Sequence, residues 1–253
     1  MSPPAVVAHR GNAAEYPENT LPALRSALAL GVRYIEFDVH LSSDGIPVVL
    51  HDASLRRTAG IEGDALSLRW SELEKISVHE PQRFGERYRD VKISSLSQIL
   101  PLLAEFPAAM AFVELKRASL RKFGTERVVK RVLEDLRPVA ARCVVISFDL
   151  PAVELARGLS GIRIGWVLSD YEPRSERECR RVQPEFLFGD QECLPAAGTP
   201  LWEGAWQWAC YEVPHAVRAL ELAAQGVALV ETTQVRQLLD ELKSPGDSGN
   251  GSH

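Results

Sequence analysis

Short apolar runs rich in β-branched residues alternate with helical patterns along almost the whole chain. This alternation predicts repeated β-α units built around a parallel sheet. Eight strands with helices between them favour an α/β fold of the TIM (β/α)8 barrel type, for which ~250 residues is a typical length. An open, doubly wound sheet is the alternative architecture. The eight candidate strands are Ala5–His9, Tyr34–His40, Met110–Lys116, Arg142–Phe148, Arg163–Leu168, Glu185–Gly189, Gln207–Tyr211 and Val227–Glu231.

The helical patterns carry start and stop signals of their own. The first predicted helix spans Leu21–Leu30, because Thr20 is a favourable N-cap and Gly31 suits the exit from a helix. Stripes of apolar residues at helical spacing predict further helices over Glu126–Leu136 and Gln234–Leu242. These elements place helices between successive strands, as a barrel of β-α units requires.

Two regions depart from the β-α rhythm. Residues from about 53 to 92 are rich in charge and glycine and show one helical fragment, Ser71–Ile76, so they are predicted to form a small insertion after the second β segment, at the barrel mouth. Residues 244–253 are all small, polar or turn-forming, which predicts a disordered C-terminal tail. The prediction is therefore a single barrel over residues 1–243 with one insertion.

Composition excludes several classes of partner. The net charge of -5 offers no basic field for a nucleic acid, and no apolar run approaches the ~20 residues of a membrane span. The N-terminal segment lacks the pattern of a signal peptide, and the four cysteines are too widely spaced for a zinc site. We therefore expect a cytoplasmic protein with reduced thiols, a small-molecule substrate and no stable membrane insertion. The oligomeric state stays open.

Three carboxylates fall on predicted inward positions of two strands. Side chains alternate along a strand, so Glu36 and Asp38 share one face of Tyr34–His40, and Glu114 and Lys116 share one face of Met110–Lys116. Burying unpaired anions costs several kcal/mol each, so a divalent cation is the simplest compensation. Oxygen ligands favour Mg²⁺ or Ca²⁺, with Mn²⁺ as a further option. The competing interpretation is a set of ion pairs with arginines.

Two histidines follow predicted strands close to these carboxylates. His9 precedes Arg10 and Gly11, and His51 ends the apolar segment after the turn at Asp44-Gly45. Imidazole changes its charge near neutral pH, so a histidine pair beside a carboxylate cluster suits general acid and base catalysis. The Arg10 guanidinium is suited to phosphate oxygens.

Taken together, the motifs resemble those of the glycerophosphodiester phosphodiesterase family. The resemblance covers nearly the whole chain and implies a TIM barrel with an insertion after the second β segment. The motifs are His9-Arg10-Gly11, Pro17-Glu18-Asn19-Thr20, Glu36-Phe37-Asp38, Asp44-Gly45, Val48-Val49-Leu50-His51-Asp52, Arg57-Thr58, Glu114-Leu115-Lys116 and Ser147-Phe148.

The resemblance also implies roles for individual residues. Glu36, Asp38 and Glu114 would bind the divalent metal, and His9 and His51 would act as the acid–base pair. The residues implied at the phosphate or substrate are Arg10 and Lys116 on the phosphate, Glu18 and Asn19 as supports in the first loop, Ser147 and Phe148 at the pocket, and Trp208 at its rim.

The implied reaction is metal-dependent hydrolysis of a glycerophosphodiester to glycerol 3-phosphate and an alcohol. The late chain departs from the common family pattern at Ala209-Cys210-Tyr211 and at Glu231-Thr232-Thr233, which leaves the alcohol open. One alternative is an activity of the lysophospholipase D or sphingomyelinase D kind, which accepts a lipid tail. Others are a non-catalytic barrel that binds phosphodiesters and an unrelated metal-dependent aldolase or isomerase.

Overall fold

Eight parallel strands close into a barrel in the computed structural model, which describes residues 3–196 and 199–243. Neighbouring strands follow the order β1-β10-β9-β8-β7-β6-β5-β2, and pairing of β1 with β2 closes the ring. This closure excludes the open sheet and confirms the predicted barrel. The strands are β1 (Ala5–Ala8), β2 (Tyr34–Leu41), β3 (Pro47–Val49), β4 (Ser94–Ser95), β5 (Met110–Leu115), β6 (Cys143–Ser147), β7 (Arg163–Val167), β8 (Phe186–Asp190), β9 (Gln207–Tyr211) and β10 (Val227–Thr232).

Each barrel strand begins and ends within one residue of its predicted bounds. The two remaining strands, β3 and β4, are antiparallel and extend the sheet outside the ring from the edge of β2. Because β3 runs antiparallel to β2, the chain turns back along the sheet, and His51, which follows β3, lies at the barrel mouth. In a parallel barrel the carboxyl ends of all strands meet at one face, which is where active sites of this fold lie.

Helices cover the outside of the barrel. Thr20 caps the first of them as predicted, with its hydroxyl oxygen accepting from the Ala23 amide at 3.4 Å. Between β8 and β9 the described residues form no helix. The helices are α1 (Leu21–Ala29), α2 (Arg56–Ala59), α3 (Trp70–Leu73), α4 (Pro81–Phe84), α5 (Leu96–Ile99), α6 (Pro101–Glu105), α7 (Arg117–Phe123), α8 (Thr125–Leu136), α9 (Leu150–Ser160), α10 (Pro173–Val182), α11 (Ala216–Ala224) and α12 (Val235–Lys243), with 3₁₀ turns at Ala65–Ser67 and Arg137–Arg142.

Apolar side chains fill the barrel below its mouth. Phe112 is at the centre of this interior cluster and makes edge contacts with Phe186 and Phe188, each at 5.0 Å between ring centroids. A larger cluster lies between the strands and the helix layer. Because side chains fill its interior, the barrel is not a channel. A site can therefore form only above this packing, at the carboxyl ends of the strands. The interior cluster consists of Val7, Phe112, Val144, Ile146, Val167, Phe186, Phe188, Ala209 and Leu229.

The segment from about 53 to 92 contains only short helices, α2 to α4, and a 3₁₀ turn. Its apolar side chains form a separate cluster on Val48 and Leu50, through Leu55, Leu73 and Val78 among others. Its helical fragment is Trp70–Leu73, where Ser71–Ile76 was predicted. The boundaries of this insertion, and of the barrel at residues 1–243, stay predictions.

Three further expectations concern the chain as a whole. All four cysteines lie in the described part and none is in a disulfide. No described helix combines the length and the apolar character that crossing a membrane requires. The predicted tail at residues 244–253 lies outside the described residues.

Candidate active site

Strand β2 presents two carboxylates to the barrel interior, as the alternation predicts. Ile35, Phe37 and Val39 pack into the outer core, while Glu36 and Asp38 are buried on the opposite face. The register of β2 and β5 pairs Asp38 with Glu114 on the neighbouring strand. Oxygen atoms of the three residues all lie within 4.8 Å of one another, so they form one cluster that could hold a metal ion.

Two cations lie against this carboxylate cluster. The Lys116 Nζ is 3.0 Å from Asp38 Oδ1 and 3.0 Å from Glu114 Oε1. The Arg10 Nε is 3.4 Å from Asp38 Oδ2, and the Arg10 backbone N–H donates to Glu36 Oε2 at 3.0 Å. Arg10 and Lys116 thus contact the carboxylates directly, at the positions implied for phosphate binding.

The loop after β1 reaches the cluster through unusual backbone conformations. Arg10 and Asn19 have φ values of 57° each, and Gly11 has a φ of 82°. A Cβ on Gly11 would lie 2.6 Å from the backbone of Ala23, so only glycine fits this close approach. The Asn19 side-chain amide donates to Asp38 Oδ2 at 2.8 Å, and its oxygen accepts the Asp38 N–H at 3.0 Å. Asn19 therefore fixes the orientation of Asp38.

The three clustered carboxyl groups differ in charge preference. Burial raises the pKa of Glu36 well above its usual value, and the Asp38 charge raises it further. Burial and Asp38 likewise raise the pKa of Glu114 to about 7. Burial would also raise the pKa of Asp38, but Lys116 and Arg10 outweigh it and lower that pKa. Only Asp38 is therefore fully compensated by neighbouring protein cations.

His9 lies at the end of β1 beside the cluster. Its Nε2 is 3.9 Å from Glu36 Oε2, and its Nδ1 is buried with no hydrogen-bond partner among the described residues. Burial, together with the nearby Arg10 charge, lowers the pKa of His9 to about 3. The ring is therefore neutral at neutral pH.

His51 lies opposite, on the return formed by β3. Its Nδ1 is 2.6 Å from Asp52 Oδ1, which leaves Nε2 as the nitrogen available to a ligand. His40, to which the sequence assigned no role, has its Nε2 3.0 Å from the His51 carbonyl oxygen and its Nδ1 3.0 Å from Ser119 Oγ. His40 therefore fixes the backbone at His51 from inside the sheet.

A chain of ion pairs links the two histidine loops. Arg57 donates from both terminal nitrogens to Glu18, at 2.8 and 2.6 Å, and its Nε donates to Asp52 at 2.6 Å. Glu18 also accepts from Arg10 at 3.1 Å. The predicted support role of Glu18 thus extends through Arg57 to Asp52, which contacts His51. Adjacency of Asp52 to His51 was the sequence signal for this network.

The two histidines and two of the clustered carboxylates share one cavity of about 180 Å³. One wall is charged, and the opposite wall is apolar and includes Phe148 as implied by the resemblance. The lining residues are His9, Arg10, Glu36, His51, Glu114, Lys116, Ile146, Phe148, Val167, Phe188, Tyr211, Glu212 and Glu231.

Two predicted pocket residues lie elsewhere. Ser147 is buried behind the strand, where its hydroxyl donates to the Leu115 carbonyl at 2.7 Å. Trp208 faces the helix layer, and its indole N–H donates to the Trp202 carbonyl at 3.1 Å. Because side chains alternate, Phe148 and Ala209 occupy the inward positions beside them, so Ser147 and Trp208 do not line the cavity.

Glu231 is a cavity residue to which sequence reasoning gave no role. It is buried near the end of β10, and burial together with Glu114 and Asp38 raises its pKa to about 8. Glu36, Asp38, Glu114 and Glu231 thus lie at the barrel mouth beside two cations, Arg10 and Lys116, and the exposed Glu212 lines the same cavity. A divalent cation would compensate the carboxylates that these two cations leave unpaired, so the residues present fit such an ion.

Comparison with known proteins agrees with this geometry. The model of the glycerophosphoryl diester phosphodiesterase family matches residues 9–188. A glycerophosphodiester phosphodiesterase from Bacillus altitudinis is 34% identical over 161 residues, which are 60% of this chain and 64% of the relative. One from Caldanaerobacter subterraneus subsp. tengcongensis is 30% identical over 144 residues, 57% of this chain and 58% of the relative. The aligned regions thus span about three fifths of these relatives.

A solved structure extends the likeness to nearly the whole chain. A phosphodiesterase from Oleispira antarctica, in complex with the product sn-glycerol-3-phosphate, superposes with a TM-score of 0.83 at 25% identity and covers 96% of this chain and 98% of its own. Fold, site geometry and family model are in agreement. This chain belongs to the glycerophosphoryl diester phosphodiesterase family.

Proposed function

We propose that this protein hydrolyses glycerophosphodiesters to glycerol 3-phosphate and an alcohol. The observation that carries the proposal is the meeting of His9, His51, Glu36 and Glu114 in one cavity, with Asp38 directly behind them. The family membership supports the same reaction. So does the Oleispira antarctica phosphodiesterase, whose structure contains sn-glycerol-3-phosphate.

Glu36, Asp38 and Glu114 would hold one divalent metal ion. Their oxygens lie within 4.8 Å of one another, and Glu36 Oε1 is buried with no hydrogen-bond partner among the described residues. Carboxylate ligands favour Mg²⁺ or Ca²⁺, with Mn²⁺ as a third candidate. The bound ion would supply positive charge against the phosphoryl oxygens.

Arg10 and Lys116 add fixed positive charge at the same place. Each contacts the carboxylates at 3.4 Å or less and also lines the cavity, so a phosphate there would meet both cations. Preorganised charge of this kind is usually the largest electrostatic contribution to such a reaction. The Asn19 bonds to Asp38 and the Glu18 bonds to Arg10 hold these groups in position before substrate arrives.

His9 and His51 would move the protons. One removes a proton from the nucleophile and the other donates one to the departing alkoxide. The contact of Asp52 with His51 Nδ1 directs Nε2 toward the substrate. His9 is neutral at neutral pH and is partly exposed in the wall of the cavity.

The test is kinetic. Purified protein, stripped with a chelator and resupplied with millimolar Mg²⁺, Ca²⁺ or Mn²⁺, is offered glycerophosphocholine, glycerophosphoethanolamine and bis(p-nitrophenyl) phosphate. We expect metal-dependent release of glycerol 3-phosphate from the first two. Absence of turnover on all three substrates with every metal would refute the proposal. Lysophosphatidylcholine, offered in parallel, tests whether the cavity also admits a lipid tail.

A further inference from the structure

Glu231 occupies an inward position on the last barrel strand. Leu229, two residues earlier on β10, belongs to the apolar cluster that fills the barrel, and the alternation of side chains puts Glu231 on the same face one layer higher. In the register of β10 with β1, Glu231 pairs with Val7, which precedes His9 by two residues. Glu231 therefore lies in the wall of the proposed active site, beside the His9 strand.

The Glu231 carboxyl group is buried and lacks a partner within the described part of the chain. The residue is only 4% exposed, and its Oε1 has no hydrogen-bond partner among the described residues. No lysine or arginine of the described part lies within 4.0 Å of it, in contrast to Asp38 and Glu114. A buried, unsatisfied polar group costs free energy, so such a group at a cavity surface is suited to a ligand.

Glu231 is distinct from the proposed metal ligands. The cluster whose oxygens all approach within 4.8 Å contains Glu36, Asp38 and Glu114 and does not contain Glu231. Glu231 nevertheless lines the same cavity as Glu36 and Glu114. A single molecule in this cavity can therefore contact Glu231 and also reach the proposed metal and phosphate positions.

The chemistry of this ligand group follows from what a carboxyl group can bond. A phosphate oxygen only accepts and would be repelled by an ionised carboxylate, whereas an ammonium group only donates. A hydroxyl group does both, so it can satisfy Glu231 whether or not Glu231 carries a proton. The raised pKa of Glu231, caused first by burial, makes the protonated form accessible at neutral pH.

We propose that Glu231 binds a hydroxyl group of the substrate's glycerol portion and so selects phosphodiesters that carry a free hydroxyl next to the phosphate. The proposal rests on the proposed function for the identity of the substrate. It makes Glu231 a specificity residue, in addition to the residues that act on the phosphate.

The test compares binding of two ligands that differ only in hydroxyl groups. Calorimetry with the metal-loaded protein measures the affinity for glycerol 3-phosphate and for n-propyl phosphate, which has the same carbon chain without hydroxyls. We expect wild type to prefer glycerol 3-phosphate about tenfold or more. Glu231→Leu should bring this ratio close to one, and Glu231→Gln should keep most of it because an amide also donates and accepts.

Glu203→Leu is the matched control. Glu203 is an exposed glutamate that does not line the cavity, so its substitution should change the ratio less than twofold. Thermal unfolding verifies that each variant is folded, and Glu231→Ala replaces Glu231→Leu if the larger side chain does not fit. A ratio in the folded variant equal to that of wild type, or a wild type without preference, would overturn the proposal.

Measuring turnover of glycerophosphocholine distinguishes a failure of the Glu231 proposal from a failure of the proposed hydrolytic function. A wild type that hydrolyses glycerophosphocholine while Glu231→Leu keeps the full preference contradicts only the role of Glu231. A wild type without turnover whose hydroxyl preference is lost in Glu231→Leu contradicts only the hydrolytic function.

Discussion

The two walls of the cavity are formed by residues at or near the ends of the barrel strands, but burial of one wall stabilises the fold and burial of the other costs free energy. Strands β2, β5 and β10 contribute Glu36, Glu114 and Glu231, and His9 directly follows β1. Strands β6, β7 and β8 contribute Ile146, Val167 and Phe188. The apolar wall continues the packed interior and gains stability from burial. The charged wall is costly to bury, so we expect a ligand to bind on this side of the barrel.

The largest effect should come from the histidines of the charged wall. We expect His9→Ala and His51→Ala each to lower kcat/KM for glycerophosphocholine about 10³-fold, equivalent to about 4 kcal/mol, because each removes a proton-transfer group. Steady-state kinetics measures the loss. His215→Ala is the control, since His215 is exposed and bonds to Glu241 away from the cavity. Near-normal activity in either active-site variant would contradict the acid–base assignment.

The next effect concerns pH and the Glu114 carboxyl group. Its pKa is about 7 in the folded protein against a usual 4.5, so between these pH values the unfolded chain releases a proton that the folded chain keeps. Metal-free wild type should therefore lose about 3 kcal/mol of stability relative to Glu114→Gln as pH rises from 4.5 to 7.5. Urea unfolding across this pH range measures the difference.

The same stability measurement on wild type and Glu114→Gln can be repeated with saturating Mg²⁺. An ion at the cluster favours the ionised form of Glu114, so the loss of wild-type stability with rising pH should vanish when Mg²⁺ is present. Parallel stability curves for the two metal-free proteins would show that Glu114 carries no burial penalty.

A smaller effect is expected on the apolar wall. Phe188 packs against Phe112 at 5.0 Å between ring centroids and lines the cavity. Phe188→Leu should lower the free energy of unfolding by about 1 to 2 kcal/mol through lost packing. It should leave the stabilisation by Mg²⁺ unchanged, because the metal position is on the other wall. Denaturation with and without Mg²⁺ tests both statements, and loss of the metal effect would show that the walls are coupled.

The smallest effect belongs to Ser147, which the family resemblance placed at the pocket. Ser147→Ala removes a buried hydrogen bond to the Leu115 carbonyl and should cost about 1 kcal/mol of stability. Because the side chain faces away from the cavity, kcat/KM should stay within twofold of wild type. A larger change in kcat/KM would contradict this orientation and indicate that Ser147 contacts the substrate.

Sequence patterns predicted the barrel well because its signals are local. Alternation along Tyr34–His40 oriented Glu36 and Asp38 correctly, since a strand with one apolar face has only one way to bury it. The closure of β1 on β2 followed from the number of strands and their length.

The pocket residues were harder because motif matching locates a residue along the chain and does not assign its face. Trp208 lies on the outward face, where it packs with Trp202 and Tyr171. Glu231 shares its face with Leu229, so alternation could have identified it as an inward residue. A single acidic residue at the end of a strand usually lies at the surface, and only the barrel register shows that this one is buried.

The central claim is that the charged wall holds a divalent ion, and crystallography with Mn²⁺ tests it most directly. Crystals grown with Mn²⁺ and glycerol 3-phosphate should show one strong anomalous peak roughly 2.0 to 2.6 Å from oxygens of Glu36, Asp38 and Glu114. Glu36→Gln crystals treated in the same way should lack it. A peak on other residues, or none at this cluster in wild type, would contradict the assignment.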